Sequence, residues 1–100
     1  MSEHRQLAVI MFADIANYTA LMQQNEAVAI QLIHRFKESL YTKVKDSKGD
    51  VIQYYGDGCL SVFTSAAHAI DCAKSLQEEF RNEPEVPVRI GIHLGDIVFR

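Results

Sequence analysis

Asp14 and Asp57 are the two residues whose types and settings could do chemistry together. Asp14 ends the apolar run of residues 7–13, and Asp57 stands between Gly56 and Gly58, so each carboxylate lies at a point where a strand would stop or start. Two carboxylates brought close repel one another unless a cation bridges them, and no Lys or Arg lies near either in sequence to neutralise it. Their oxygens are hard donors that suit Mg²⁺ or Mn²⁺ better than zinc. The loop Ile15, Ala16, Asn17, Tyr18 and Thr19 follows Asp14 and leads into a helix start, where unpaired backbone N–H groups favour phosphate. Singly, an Asp at a strand end is a cap and an Asp-Gly pair is ordinary hairpin chemistry. The metal and phosphate site exists only if the fold brings both residues to one place.

The elements that would do so are legible. Residues 7–13 predict a first strand, central and buried on both faces. Ala29, Ile33, Phe36, Leu40 and Val44 recur at steps of three and four and predict an amphipathic helix over residues 26–46, capped by Asn25 and preceded by a short helical turn at residues 20–23. Lys48-Gly49-Asp50 breaks that helix. Residues 51–55 and 59–63 then predict a β-hairpin around Gly56-Asp57-Gly58. Ser65 caps a second helix with the stripe Ala66, Ala69, Ile70, Ala73, Leu76 and Phe80, and Pro84 and Pro87 bracket its exit loop. Val88, Ile90, Ile92 and Leu94 alternate with Arg89, Gly91 and His93 as a last strand with two different faces. The order βαββαβ predicts an α+β, ferredoxin-like fold: a four-stranded antiparallel sheet with two helices on one face and the other face open. In that topology the first and third strands are antiparallel neighbours roughly 4.8 Å apart, so Asp14, after the first, meets Asp57, before the third.

Composition narrows the function classes. With 100 residues, 48% of them hydrophobic, the chain suits one domain with a core of its own. A net charge of -3 with singly scattered Lys and Arg gives no footprint for a nucleic-acid backbone. The late-helix lysines Lys37, Lys43, Lys45 and Lys48 complement the helix dipole. Cys59 and Cys72 read as reduced core thiols. His4, His34, His68 and His93 lack metal-ligand spacing; His68 with Asp71 reads as an exposed helix pair, and His93 lies on the open sheet face or a dimer seam. The start, residues 1–6, is polar, and no apolar run approaches the roughly 18 residues of a membrane span, which predicts a soluble cytoplasmic protein.

Three segments in this order, Phe12-Ala13-Asp14-Ile15-Ala16-Asn17-Tyr18-Thr19, Tyr55-Gly56-Asp57-Gly58 and Arg89-Ile90-Gly91-Ile92-His93-Leu94-Gly95-Asp96, resemble the class III adenylate and guanylate cyclases over nearly the whole chain. The resemblance implies that Asp14, Asp57 and the Ile15 carbonyl hold two Mg²⁺ or Mn²⁺ ions per site, and that the backbone amides of Ile15, Ala16, Asn17, Tyr18 and Thr19 hold a nucleoside triphosphate. The implied reaction converts ATP, or with less support GTP, to a 3′,5′-cyclic nucleotide and pyrophosphate. Asn17 stands where the family usually has Gly, and Asn is the other residue that tolerates left-handed backbone. Gln53 stands where the family reads the purine with Lys or Glu, and its amide can donate and accept. Residues 1–100 correspond to the N-terminal part of the family's catalytic domain; its transition-state Arg and Asn fall beyond Arg100, so this piece is expected to be inactive alone. The family's sites are shared by two domains, which implies a second cyclase domain as a head-to-tail homodimer partner. The alternative expectation is a non-catalytic, cyclase-like regulatory or dimerisation domain.

Overall fold

The computed structural model describes residues 4–99, with side-chain burial resolved for residues 7–96. Part of the polar start and Arg100 lie outside the described residues. The elements are β1 (His4–Ile15), α1 (Tyr18–Gln24), α2 (Glu26–Asp46), β2 (Asp50–Tyr55), β3 (Gly58–Phe63), α3 (Ala66–Glu79) and β4 (Val88–Phe99). The four strands form one antiparallel sheet in the order β2-β3-β1-β4. That is the expected sheet, but the helices among the described residues are three, not two: the short turn expected at residues 20–23 is a helix of seven residues.

Alternation along the strands decides which residues meet the helices. Val9, Met11, Ala13 and Ile15 of β1 and Cys59, Ser61 and Phe63 of β3 are buried against Leu32, Phe36, Leu40 and Val44 of α2 and Ala69, Cys72 and Leu76 of α3. Phe36 and Phe80 stack at 5.8 Å between centroids at the centre of this layer. The opposite face is bare, and Phe12 of β1 is 39% exposed there. The expectation of a first strand buried on both faces is therefore corrected: β1 is central, but the helices cover one side only. It is also longer than expected, because its polar ends go on pairing with β4 from His4↔Phe99 to Ile15↔Val88.

The apolar stripes are likewise corrected, and Ala66 at the start of α3 is exposed. Leu32, not the half-buried Ile33, completes the buried face of α2, and on α3 Cys72 lies inside while Ile70 is 47% exposed. Caps fall where the residue types put them, with Asn25 Oδ1 accepting from Val28 N at 3.2 Å and Ser65 Oγ from His68 N at 3.4 Å. At the end of α2 the left-handed residue is Lys48 (φ 64), and Lys48 N and Gly49 N donate back to Lys45 O and Val44 O. Gly49 is needed for a different reason: a Cβ there would come within 2.4 Å of the buried Phe63 ring.

Candidate functional site

Strand pairing assembles the site at one end of the sheet. Asp14 sits opposite Gly58 of β3 on one side and opposite Arg89 of β4 on the other. Paired residues of neighbouring strands share a face, so Asp14, Gly58, Tyr55 and Arg89 form one row across the open side. Asp57 immediately precedes Gly58 in the two-residue connection Gly56-Asp57, with Gly56 supplying the positive φ of 52° that the tight turn requires. Two backbone hydrogen bonds tie the parts together: Ile15 N donates to Asp57 O at 3.3 Å, and Ala16 N donates to Pro87 O at 2.7 Å.

The result is a cleft of about 470 Å³ lined by Asp14, Ile15, Asn17, Tyr18, Thr19, Ala20, Gln23, Asp57 and Arg89. Asp14, Ile15, Asn17, Tyr18, Thr19 and Asp57, all singled out from the sequence, thus line one cavity. Gln53 does not line it; it is exposed on β2, paired with Leu60. Asn17 takes the left-handed conformation (φ 58, ψ 31) that lets the chain turn from β1 into α1, and its side chain makes no capping bond. The first intrahelical bond is Leu21 N to Asn17 O at 3.1 Å. With the Ile15 and Ala16 amides committed to Asp57 and Pro87, the Asn17, Tyr18 and Thr19 amides are the ones facing no such demand among the described residues.

Arg89 alters the electrostatics expected from the sequence. Its Nε donates to Asp14 Oδ1 at 2.9 Å and its Nη2 to Asp14 Oδ2 at 3.2 Å, a two-pronged ion pair. Asp14 is therefore not uncompensated. The pair joins residues 75 apart in sequence, so looking for neighbours along the chain could not reveal it. The signal was available in the topology: β4 also runs antiparallel beside β1, so its second residue must lie opposite the end of β1. The pairing raises the Arg89 guanidinium above its ordinary range, first through the hydrogen bonds to Asp14 and then through its charge. Tyr55 is a second residue that sequence reasoning missed. Its ring lies so near Gly58 that a Cβ there would approach it at 2.6 Å, and burial, followed by the Asp14 charge and smaller contributions from Cys59 and Asp57, raises its phenol.

His34, His68 and His93 do not line this cleft. His93 sits on the open face beside Phe12, with ring centroids 5.6 Å apart. His68 is half-buried rather than exposed, with Nδ1 buried and without a hydrogen-bond partner among the described residues, because α3 turns it toward the end of α2. Among the described residues no group of three or more His, Cys, Asp or Glu could hold a metal ion, and no helix is long and apolar enough to cross a membrane.

Comparison with known proteins gives a consistent result. The family model described as adenylate and guanylate cyclase catalytic domain matches residues 1–100. A Rhizobium meliloti (strain 1021) protein, named as a candidate adenylate cyclase and numbered 3 in that organism, is 38% identical over 105 residues, covering 97% of this chain and 18% of its own. A crystal structure of an adenylate/guanylate cyclase/hydrolase from Silicibacter pomeroyi is 31% identical with a TM-score of 0.76, covering 98% of this chain and 62% of that one. A bacterial light-regulated adenylyl cyclase superposes with a TM-score of 0.86 at 17% identity, over 98% of this chain and 33% of that one, which speaks for the fold alone. The chain spans about a fifth of the length of the curated relatives it matches, from 18% to 21%.

Proposed function

Because the chain belongs to the adenylate and guanylate cyclase catalytic-domain family, we propose that residues 1–100 are the N-terminal part of a class III nucleotidyl cyclase module. The observation that carries the reading is the convergence of Asp14, Asp57 and the loop after β1 on one cleft. The donor set fits Mg²⁺ or Mn²⁺, since two carboxylates and the Ile15 carbonyl are all hard oxygens. Asp14, Asp57 and the Ile15 carbonyl would hold two such ions. The chemistry such cations would supply when bound is activation of the ribose 3′-hydroxyl and neutralisation of the departing pyrophosphate.

The rest of the scheme concerns the chain's own groups. The Asn17, Tyr18 and Thr19 amides orient the triphosphate beside the two carboxylates. Ile15 and Ala16 act indirectly, since their N–H bonds hold the loop to the Asp57 turn and to the start of β4. Gln53 on the open face reads the purine edge, with ATP preferred to GTP. The second half of the site comes from a second cyclase domain in a head-to-tail homodimer in the cytoplasm. Residues 1–100 alone turn over no nucleotide, as none of their positions matches the family's transition-state Arg and Asn.

Calorimetric titration of the chain with ATP in the presence of Mn²⁺ tests this. Binding that requires Mn²⁺ and is weakened at least about tenfold by Asp14→Asn or by Asp57→Asn is expected, since each change removes a charged metal ligand. ATP binding indifferent to both substitutions, or none at all, would refute the reading.

A further inference from the structure

The Asp14–Arg89 pair has a bearing on how the cleft fills. Both oxygens of Asp14 are engaged by one planar guanidinium, so the geometry that would meet a divalent cation is already satisfied by a resident cation. The pair is not a fold-holding device of any weight: the Arg89 side chain is 69% exposed and Asp14 31%, and ion pairs so open to water add little to stability. Arg89 is at the same time well anchored at its base, because its Cα is held opposite Asp14 in the β1–β4 ladder. Its side chain can swing into solvent and return without any change of backbone. Asp57 also acts on Arg89 through its charge, so a single guanidinium offsets part of the field of both carboxylates.

Resting on the metal-site reading above, we propose that Arg89 is a built-in competitor for the divalent cation. In the nucleotide-free chain it occupies Asp14, and a metal ion arriving alone must displace it. A metal ion arriving with a polyphosphate brings negative oxygens that complete its own coordination, and so overcomes the competition. Arg89 thereby suppresses futile metal loading and couples metal uptake to nucleotide. No covalent bond is made or broken in this exchange; the two hydrogen bonds from Arg89 give way, and one cation replaces another at the same carboxylate.

Mn²⁺ binding to the nucleotide-free chain, followed by electron paramagnetic resonance, measures the competition directly. Arg89→Gln is expected to bind Mn²⁺ about two- to fivefold more tightly than the unchanged protein, the range set by a partly exposed ion pair. Equal or weaker Mn²⁺ binding in that variant overturns the proposal. As a second measurement on the unaltered side chain, the Arg89 Nε–H resonance should move from its ion-paired to its free position as Mg²⁺ is added. A resonance that stays in place while the Asp14 and Asp57 amides respond to Mg²⁺ also overturns it. Asp14→Asn separates the two levels of the claim. If it binds Mn²⁺ as tightly as the unchanged chain, the metal site itself is misassigned, and the competitor role falls for that reason instead.

Discussion

Cys59 of β3 and Cys72 of α3 both point into the layer between sheet and helices, at 1% and 0% exposure. Burial pushes each thiol up to about 11; for Cys59 the neighbouring Cys72 adds to the rise, while Ser47 and Lys43 partly oppose it for Cys72. An unfolded thiol titrates near 9.0, so between that value and about 11 the unfolded chain releases protons that the folded chain keeps. The stability linked to these thiols is full below pH 9 and is lost as pH climbs toward 11. Urea midpoints measured across this range should fall with rising pH, and fall less in a Cys59→Ala, Cys72→Ala chain; a midpoint that holds steady in the unchanged protein would contradict the assignment. Other single residues differ in how plainly their roles can be read beforehand. The Asp14 and Asp57 pairing follows from the order of elements, and the left-handed Asn17 follows from the conformational tolerance of Asn. Arg89 and Tyr55 owe their importance to lateral strand neighbours, which no spacing along the chain displays and which only the strand order reveals.

Arg35 of α2 shows how one side chain fixes the relation between elements. It donates to Pro84 O at 2.9 Å, Glu79 O at 2.8 Å, Asn82 O at 3.2 Å and Glu79 Oε2 at 3.1 Å, and its guanidinium lies 5.3 Å from the Phe80 ring centroid. A cation at the end of α3 satisfies carbonyls that the helix leaves unpaired, and complements its dipole. It also fastens the loop that delivers Pro87 and Arg89 to the cleft. Arg35→Met keeps much of the packing and removes these bonds; a loss of about 2–3 kcal/mol in unfolding free energy is expected, read from denaturant curves. A change within experimental error would show that the loop is held by other means. Element boundaries were legible where chemistry marks them. α2 begins after a capping Asn25 and ends at Asp46, as its sequence indicates. They were not legible for β1, whose extra length comes from the length of its partner β4 and not from its own polar ends.

The described residues form a long, shallow body, 49 × 24 × 18 Å, with a radius of gyration of 14.6 Å against about 13 Å for a typical domain of this size. One sheet face without a covering layer accounts for the shape. β1 is hydrogen-bonded on both sides, whereas β2 pairs with β3 alone and carries an irregularity between Val51 and Gln53. Hydrogen exchange should reflect this gradient: amides of β1 from Val9 to Ala13 are expected to exchange at least about tenfold more slowly than those of β2. Equal protection in the two strands would mean that the layer of helices, not sheet position, sets local stability. The helix-covered core was foreseeable from apolar periodicity, since burial drives it, and the bare face from the element order, which puts both crossovers on one side; Phe12 and Leu60, as apolar as the residues opposite, did not mark it themselves. The bonds from Ile15 N to Asp57 O and from Ala16 N to Pro87 O span the three stretches of chain that form the cleft floor. The cleft is thus a keystone joint: no partial fold lacking either the hairpin or the last strand can counterfeit it, and any ligand lodged there certifies that every strand has found its place.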